Sequence, residues 1–324
     1  MKNELQKIYE LLEECNSVLI VTHLRPDGDA LGSSLGTYLI LKKLYPDKRI
    51  EVFFDSNISH NLQRLVDDSG IKLYDQSKNI HFDLMIGLDS GSFERLSLPG
   101  GLSVNNIINI DHHKTNDFYG KLNIVISEIS STAELVYTLL KEHIDSENAF
   151  YFLFGICSDT GFFKNDNVTP STLRASARLT ELGAKMFSVT TYLENSKKMA
   201  ELKVLADGLK RIRKIINGIY IVEFPLKEWS KYGEPISVIW TSGIFSQVRS
   251  LKDCELGIFA IQKDENEVLV EFRSKNVDTS KVAVFFGGGG HKKASGCSIF
   301  GSMELAVNKL EEYFVNKDVL WQQA

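Results

Sequence analysis

Cysteine is scarce in this sequence, and its spacing is not that of a metal knuckle or a redox pair. The four cysteines stand far apart at positions 15, 157, 254 and 297 of 324 residues, and no Cys-x-x-Cys motif occurs. This pattern excludes a zinc knuckle and a thioredoxin-like dithiol, and it favours buried free thiols. Such thiols are typical of a reducing compartment, so we expect a cytoplasmic protein.

Long apolar runs are also absent. No stretch of apolar residues approaches the about 18 that a membrane-spanning helix needs. The N-terminal segment MKNELQKIYELLEEC carries acidic residues between helically spaced apolar ones, unlike the apolar centre of a secretory signal. We therefore expect no membrane span and no membrane partner.

The chain has no excess of positive charge. It contains 37 lysines and arginines against 42 aspartates and glutamates, a formal net charge of -5. Proteins that hold long nucleic acids usually neutralise many phosphates with a basic surface. Long nucleic acid is therefore a poor candidate partner, whereas a local basic pocket for a small anion is compatible with this composition.

Strand-like and helix-like segments alternate in the first two thirds of the chain. Segments 17–22, 83–89 and 106–111 are short and apolar, and helical patterns lie between them. This alternation predicts an α/β fold with a parallel sheet. Further along, Ser131 followed by Glu134 predicts a capping box at the start of a helix.

The length of the chain predicts two domains. We place a parallel-sheet α/β domain at 1–190, a helical linker at 191–216 and a smaller mixed α/β domain at 217–324. The linker depends on a polar helical pattern at 198–215. In the last segment IYIVEF, CELGIFAI and NEVLVEFRS predict antiparallel strands, and MELAVNKLEEYFV predicts a closing amphipathic helix.

Ionisable side chains stand where several of these elements end. The candidates are His23, Asp27, Asp29, Asp89, Asp111, His112, His113 and Asp159. Each alone has a structural explanation, since Asp-Gly and Pro-Asp pairs form turns and a carboxylate can cap a helix. Because parallel strands end at one edge of a sheet, the whole set favours a shared site. Carboxylates and imidazoles without cysteine indicate manganese before zinc, and their number favours two ions.

The second domain contains a candidate phosphate site. Four consecutive glycines at 287–290 present backbone N–H groups without side chains, and a histidine and two lysines follow them. A flexible linker is the alternative. Arg249 and Arg273 are further candidates, because an arginine can bind a terminal phosphate with two parallel hydrogen bonds. For Arg249 a solvated surface position is equally open.

These motifs resemble those of the DHH phosphoesterase family, whose members include RecJ-type exonucleases, class II inorganic pyrophosphatases and small oligoribonucleases. The matching segments of the first domain are HxxxDxD at 23–29, the acid at 89, DHH at 111–113 and SDTG at 158–161. GGGGH at 287–291 and ASG at 294–296 resemble the substrate-binding motif of the DHH-associated C-terminal domain. The resemblance covers nearly the whole chain.

The resemblance implies a two-metal centre, with two Mn²⁺ ions as the expected cofactor. The implied metal ligands are His23, Asp27, Asp29, Asp89, His112 and Asp159. Asp89 would bridge the ions, with His23 and Asp27 on one of them and the other three residues on the second.

The resemblance also implies catalytic and substrate-binding residues. His113 would face the substrate phosphate, and Asp111 would orient the two histidines that follow it. The implied substrate-binding residues of the second domain are Arg249, Arg273, Gly288, Gly289, Gly290, His291 and Ser295.

The implied activity is that of a metal-dependent phosphoesterase acting on short nucleotides. The leading substrates are oligoribonucleotides of two to five residues, including pApA, with pAp as a second substrate. A cyclic di-AMP phosphodiesterase and a non-catalytic nucleotide sensor are the alternatives. A pyrophosphatase is disfavoured because the basic run ending in Lys-Gln is missing, and processive cleavage of long strands is disfavoured by length and charge. A homodimer is compatible with the sequence, which does not determine the oligomeric state.

Overall fold

The computed structural model describes residues 2–54, 58–75, 81–195 and 197–316. The chain divides into two compact units, with the boundary after residue 196. Each unit has its own sheet, and the two-part α/β architecture predicted from the sequence is confirmed.

The first unit contains a five-stranded parallel sheet. Its strands are β1 (Ser17–Thr22), β2 (Arg49–Phe53), β3 (His81–Leu88), β4 (Ser103–Asp111) and β5 (Leu122–Val125). Their order is β2-β1-β3-β4-β5, and every neighbouring pair is parallel. Val18 to Val21 are fully buried because helices cover both faces of a parallel sheet.

Helices surround this sheet and carry some of the candidate metal ligands. They are α1 (Lys2–Glu13), α2 (Gly28–Leu44), α3 (His60–Asp68), α4 (Thr132–Leu140), α5 (Ala149–Asp159), α6 (Pro170–Glu181) and α7 (Met186–Leu193). Glycines let α2 and α5 approach closely: a Cβ on Gly32 would lie 2.4 Å from Tyr151 O, and one on Gly155 would lie 2.9 Å from Asp29 Oδ1. This close approach brings the end of α5, where Asp159 lies, towards the start of α2.

The capping box predicted for α4 is only half present. The Ser131 hydroxyl accepts the N–H of Glu134, as predicted. The Glu134 carboxylate does not return to Ser131, however. Its Oε2 accepts from the N–H and hydroxyl of Ser130 and from the hydroxyl of Thr172. The buried glutamate therefore ties α4 to α6, a contact 38 residues away along the chain that a local motif could not reveal.

The second unit contains a six-stranded mixed sheet. Its strands are β6 (Arg213–Ile216), β7 (Ile219–Phe224), β8 (Leu256–Gln262), β9 (Glu267–Ser274), β10 (Gly289–His291) and β11 (Ala294–Phe300), in the order β10-β11-β9-β8-β7-β6. Its helices are α8 (Met199–Lys210), α9 (Leu226–Trp229), α10 (Val238–Ser242), α11 (Ile244–Arg249), α12 (Thr279–Phe285) and α13 (Met303–Asn316).

Two expectations for the second unit need correction. The strands were expected to be antiparallel, but β7 and β8 are parallel because the helical segment α9 to α11 carries the chain back between them. The helix expected at 198–215 ends at Lys210, and β6 begins at Arg213. The segment 191–216, assigned to a linker from sequence, thus spans the end of α7, all of α8 and an edge strand of the second sheet.

Within the described ranges, no helix combines the length and apolarity that crossing a bilayer requires. All four cysteines are free, three of them buried and Cys297 half-buried.

Candidate metal centre

Three neighbouring strands of the first sheet end in the polar residues that the sequence singled out. His23 follows β1 by one residue, Asp89 directly follows β3, and β4 ends at Asp111, with His112 and His113 next in the chain. Since the strands are parallel, these ends lie at one edge of the sheet. The predicted clustering is therefore present.

One group of possible ligands consists of His23, Asp27 and Asp89, whose ligand atoms all lie within 4.8 Å of one another. His23 Nδ1 lies 2.9 Å from the Leu24 carbonyl, a bond that places the proton on Nδ1 and leaves Nε2 as the ligand atom. His23 Nε2 lies 3.8 Å from Asp27 Oδ1 and 3.6 Å from Asp89 Oδ2. Asp27 also caps α2, accepting the N–H groups of Asp29 and Ala30, so its cap geometry fixes the carboxylate near His23.

A second group surrounds His112. Its Nε2 lies 3.5 Å from Asp89 Oδ1, 4.0 Å from Asp29 Oδ2 and 4.0 Å from Asp159 Oδ2. Asp89, His112 and His113 also form a close set, although His113 Nδ1 is already bonded to Asp111 at 2.7 Å. The chain thus supplies two adjacent sets of oxygen and nitrogen ligands.

Asp89 is common to both groups. Its Oδ2 faces His23 and its Oδ1 faces His112, so the two oxygens of one carboxylate point to different sets. The residue is 2% exposed and has φ of 58°, a left-handed conformation that aspartate tolerates better than most residues. Strain of this kind is often kept at functional sites.

The spacing of these atoms fits a bound cation better than direct contact. Separations of 3.5 to 4.0 Å between His Nε2 and carboxylate oxygens are too long for good hydrogen bonds. Two ligands that each lie about 2.1 Å from one ion are separated by roughly 3 to 4 Å. These carboxylates and imidazoles, buried or half-buried except for the exposed Asp27, are therefore spaced as the ligands of a divalent ion would be.

The pKa values of the clustered side chains show that it is electrostatically unfavourable to hold several carboxylates together without a cation. Burial, followed by the charges of Asp89 and Asp159, holds the pKa of Asp29 well above its usual value. Burial, reinforced by Asp89 and Asp27, raises the pKa of Asp159 to about 6. Burial opposes a charged His23, but Asp27 and Asp89 outweigh it and raise its pKa to about 10. Without metal, these side chains therefore bind protons more readily than usual. Divalent ions would supply the same positive charge in place of those protons.

The first turn of α4 forms hydrogen bonds with two of the carboxylates, Asp29 and Asp89. The start of this helix was predicted from the sequence, but these contacts were not. The N–H of Thr132 lies 2.7 Å from Asp29 Oδ2, and that of Ala133 lies 2.8 Å from Asp29 Oδ1. The Thr132 hydroxyl donates to Asp89 Oδ1 at 3.0 Å. Backbone N–H groups at a helix N-terminus suit an anion, so α4 fixes the position of Asp29 and orients Asp89.

Replacing Thr132 with valine tests the hydroxyl separately from the backbone. Valine keeps the β-branched shape and both N–H bonds to Asp29, but Asp89 Oδ1 loses its donor. We expect about 10- to 100-fold weaker Mn²⁺ binding, measured by calorimetry, as is usual when a ligand loses its supporting hydrogen bond. The control is Thr138→Val, whose hydroxyl bonds only Glu134 O within α4. Equal Mn²⁺ affinity in wild type and Thr132→Val would contradict this role.

Asp111 contacts one of the two histidines that it was expected to orient. It is fully buried; Oδ1 lies 2.7 Å from His113 Nδ1, and Oδ2 accepts from the Asn116 side chain at 2.6 Å. No hydrogen bond between Asp111 and His112 occurs among the described contacts. Asp111 therefore contacts His113 directly, its orienting role stays a prediction, and Asn116 is a partner that was not predicted from the sequence.

The glycine run of the second unit is shaped by backbone packing. The N–H groups of Gly287 and Gly288 bond the carbonyls of Val284 and Ala283 at the end of α12, so the expectation of four free N–H groups is corrected. A Cβ on Gly288 would lie 2.1 Å from the Gly296 carbonyl. Gly289 and Gly290 lie in β10 and are exposed.

The other substrate-binding candidates differ in their surroundings. Arg249 is exposed and forms no ion pair among the described contacts. Arg273 bonds Glu271 at 2.7 Å, and its guanidinium lies 5.2 Å from the centre of the Phe245 ring. Ser295 is buried and its hydroxyl donates to Thr279 O, a structural contact. The side chain of His291 lies outside the described part of the chain.

Both halves of the chain match known domain families. Residues 17–156 match the N-terminal domain of the DHH family, and residues 237–316 match the DHHA1 domain. The first match contains His23 through His113, and the second contains the glycine run.

Similar proteins extend over nearly the full length. The chain is 28% identical over 310 residues to the bifunctional oligoribonuclease and PAP phosphatase NrnA of Bacillus subtilis, covering 93% of this chain and 94% of that protein. It is 30% identical over 290 residues to the protein of that name from Thermus thermophilus, covering 88% and 84%. A crystal structure of an exopolyphosphatase-related protein from Bacteroides fragilis has a TM-score of 0.85 at 24% identity, covering 100% of this chain and 98% of that one, which shows a shared fold.

Proposed function

Given that the chain belongs to the DHH family of phosphoesterases, with a DHH domain followed by a DHHA1 domain, we propose that it hydrolyses short oligoribonucleotides in a manganese-dependent reaction. The observation that carries this proposal is the position of Asp89, whose two oxygens face two sets of ligands. One carboxylate shared between two ligand sets is the arrangement of a two-metal phosphoesterase.

The ligands of the proposed centre divide around Asp89. His23 and Asp27 would hold one ion, and the second would be held by Asp29, His112 and Asp159. The donor set of carboxylates and imidazoles suits Mn²⁺, and the described cysteines take no part in it. The chemistry that divalent ions supply in such a site is Lewis-acid activation of water and neutralisation of phosphate charge.

His113 and Asp111 contribute the protein's own chemistry. An ionised Asp111 is an acceptor only, so the 2.7 Å contact places a proton on His113 Nδ1. Nδ1 is thereby occupied, and Nε2 is the atom left to face the substrate. We assign His113 the role of binding a phosphate oxygen and stabilising the charge that develops there during hydrolysis.

The choice of short ribonucleotides follows from the relatives. Two proteins aligned over more than four-fifths of their length are named oligoribonucleases and PAP phosphatases. The net charge of -5 favours short anionic substrates over long nucleic acid. Release of AMP from pAp is the second activity that we propose.

Among the described contacts of the second unit, Arg211, Arg213 and Arg273 pair with glutamates whereas Arg249 forms no ion pair, so Arg249 is available to a substrate phosphate. We expect Arg249→Ala to raise the KM for pApA about 10- to 100-fold, since a hydrogen bond to a charged group contributes roughly 1.5–3 kcal/mol. The kcat should change little, because the contact is equal in the bound and transition states. Arg174→Ala is the control, since Arg174 is also exposed and unpaired among the described residues. Unchanged steady-state constants in Arg249→Ala would remove this residue from the binding site.

The proposed function is tested by following products chromatographically. The purified protein is incubated with Mn²⁺ and, separately, with pApA, a five-residue RNA, pAp and cyclic di-AMP. We expect rapid conversion of pApA and the short RNA to mononucleotides, slower release of AMP from pAp, and little attack on the cyclic compound.

Other outcomes would redirect the proposal. If cyclic di-AMP is the best substrate, the protein is a signalling phosphodiesterase that uses the same metal centre. If no compound is cleaved at any protein concentration, the proposed function is wrong and a nucleotide sensor becomes the better interpretation.

A further inference from the structure

A buried asparagine lies behind the histidine that faces the substrate. Asn116 is 7% exposed and follows His113 by three residues. Its Nδ2 lies 2.6 Å from Asp111 Oδ2 and 3.1 Å from Ser90 O. Its Oδ1 accepts the N–H of Phe118 at 2.7 Å and the Asn109 side-chain amide at 2.8 Å. Every polar atom of this side chain is therefore engaged.

The backbone determines which way the Asn116 amide points. The Phe118 N–H can only donate, so the atom beside it must be the amide oxygen. The Ser90 carbonyl can only accept, so the atom beside it must be the NH₂ group. The same NH₂ group then has one hydrogen for Asp111 Oδ2. Two main-chain groups from different loops thus make Asn116 an obligatory donor to Asp111.

This donor fixes one oxygen of Asp111 and leaves the other for His113. The carboxylate is fully buried, and its described partners are Asn116 on Oδ2 and His113 on Oδ1. A carboxylate held on both sides cannot rotate without breaking a short bond. Asp111 consequently presents Oδ1 to His113 Nδ1 in one direction, which sets the plane of the imidazole ring.

We propose that Asn116 is a positioning residue that orients His113 through Asp111 and thereby controls the rate of phosphate ester cleavage. The proposal rests on the proposed function of His113 described above. Asn116 would touch neither the substrate nor the ions. Its effect should appear in kcat and vanish when His113 is absent.

The experiment is a double-mutant cycle with pApA and Mn²⁺. Asn116→Asp keeps the shape of the side chain but puts an acceptor opposite Asp111 Oδ2. We expect about a 10- to 100-fold loss of kcat, with KM and Mn²⁺ affinity within about twofold of wild type. In a His113→Ala background the same substitution should cause no further loss, because residues that act through one another are not additive. Losses that multiply would overturn the proposal.

A structural control separates positioning from a general loosening of the loop. Among the described hydrogen bonds, Asn123 bonds Asn109 and the Gly120 main chain but neither Asp111 nor His113. Asn123→Ala should keep the wild-type kcat even where its melting temperature falls. A kcat loss as large as that of Asn116→Asp would mean that loop stability alone matters, which would overturn the proposal.

Nuclear magnetic resonance tests the positioning role without measuring activity. The variant used is Asn116→Ser, which does not introduce the negative charge of Asn116→Asp. In wild type the ¹⁵N signal of His113 Nδ1 should be that of a protonated nitrogen. In Asn116→Ser, whose side chain is too short to reach Asp111, the signal should move towards a mixture of tautomers. An unchanged signal would refute the positioning role. If the wild-type protein cleaves none of the nucleotides, the proposed function is refuted. The ¹⁵N signal of His113 then still tests whether Asn116 orients His113.

Discussion

Replacing Asp89 with asparagine is expected to reduce kcat for pApA by about 1,000-fold or more, since several kcal/mol of charge stabilisation are lost and each 1.36 kcal/mol is tenfold. The two oxygens of Asp89 face His23 and His112, so one change weakens both ligand sets. Asparagine has the same shape and also tolerates the φ of 58° at this position. The result is read from steady-state rates in excess Mn²⁺.

The matched control lies at the other end of the same strand. Asp83 in β3 accepts hydrogen bonds from the Asn16 and Ser17 backbone and from the Ser17 hydroxyl, all far from the metal centre. Asp83→Asn should lower the melting temperature while leaving kcat near the wild-type value. Near-normal turnover by Asp89→Asn would show that no bridging carboxylate is needed, and the two-metal assignment would then be wrong.

Removal of metal is expected to destabilise the first unit strongly. Without metal, the cluster holds buried carboxylates of like charge beside one another, and a bound Mn²⁺ would relieve that repulsion. An ion at 100 times its Kd adds about 2.7 kcal/mol to the free energy of unfolding. For a unit of this size that corresponds to an increase of about 5 to 10 °C in melting temperature, measured by calorimetry with EDTA and with Mn²⁺.

The same Asp89→Asn variant provides the control for this prediction. Because both ligand sets are weakened, its melting temperature should rise much less on addition of Mn²⁺ than that of the wild type. In EDTA it should be at least as stable as wild type, because one buried charge has been removed. If the melting temperature of the wild-type protein does not change when Mn²⁺ is added, these carboxylates are not metal ligands.

Much of the candidate site follows from the sequence, because strand ends are easy to recognise. Apolar segments lead directly to His23, Asp89 and Asp111. These residues cluster provided only that the strands are parallel, and they are. Asp159 was placed correctly near the others although it ends a helix, α5, instead of a strand. Local patterns were sufficient here because each candidate ligand lies at or near the end of a regular element.

The partners of these residues could not be found in the same way. Thr132 bonds Asp29 across 103 positions and Asp89 across 43, and neither pair forms a sequence motif. Asn116 is one of several polar residues in the loop after β4, and no motif distinguishes it. Such contacts depend on how α4 and the loop after β4 pack, and packing is a property of the whole fold.

The second unit shows a different limit. A run of glycines predicts accessible backbone, yet Gly288 is required by a close approach to Gly296, and its N–H is already bonded. Likewise the polar Ser295 is buried against Thr279. Composition alone does not distinguish a residue that binds a ligand from one that lets two backbones meet.

The division of the chain after residue 196 has an evolutionary consequence. All the acids and histidines of the proposed metal centre precede that point, whereas the arginines and glycines proposed to bind substrate follow it. We therefore expect changes of substrate preference to arise by substitutions in the second unit, while the proposed metal centre of the first unit stays the same.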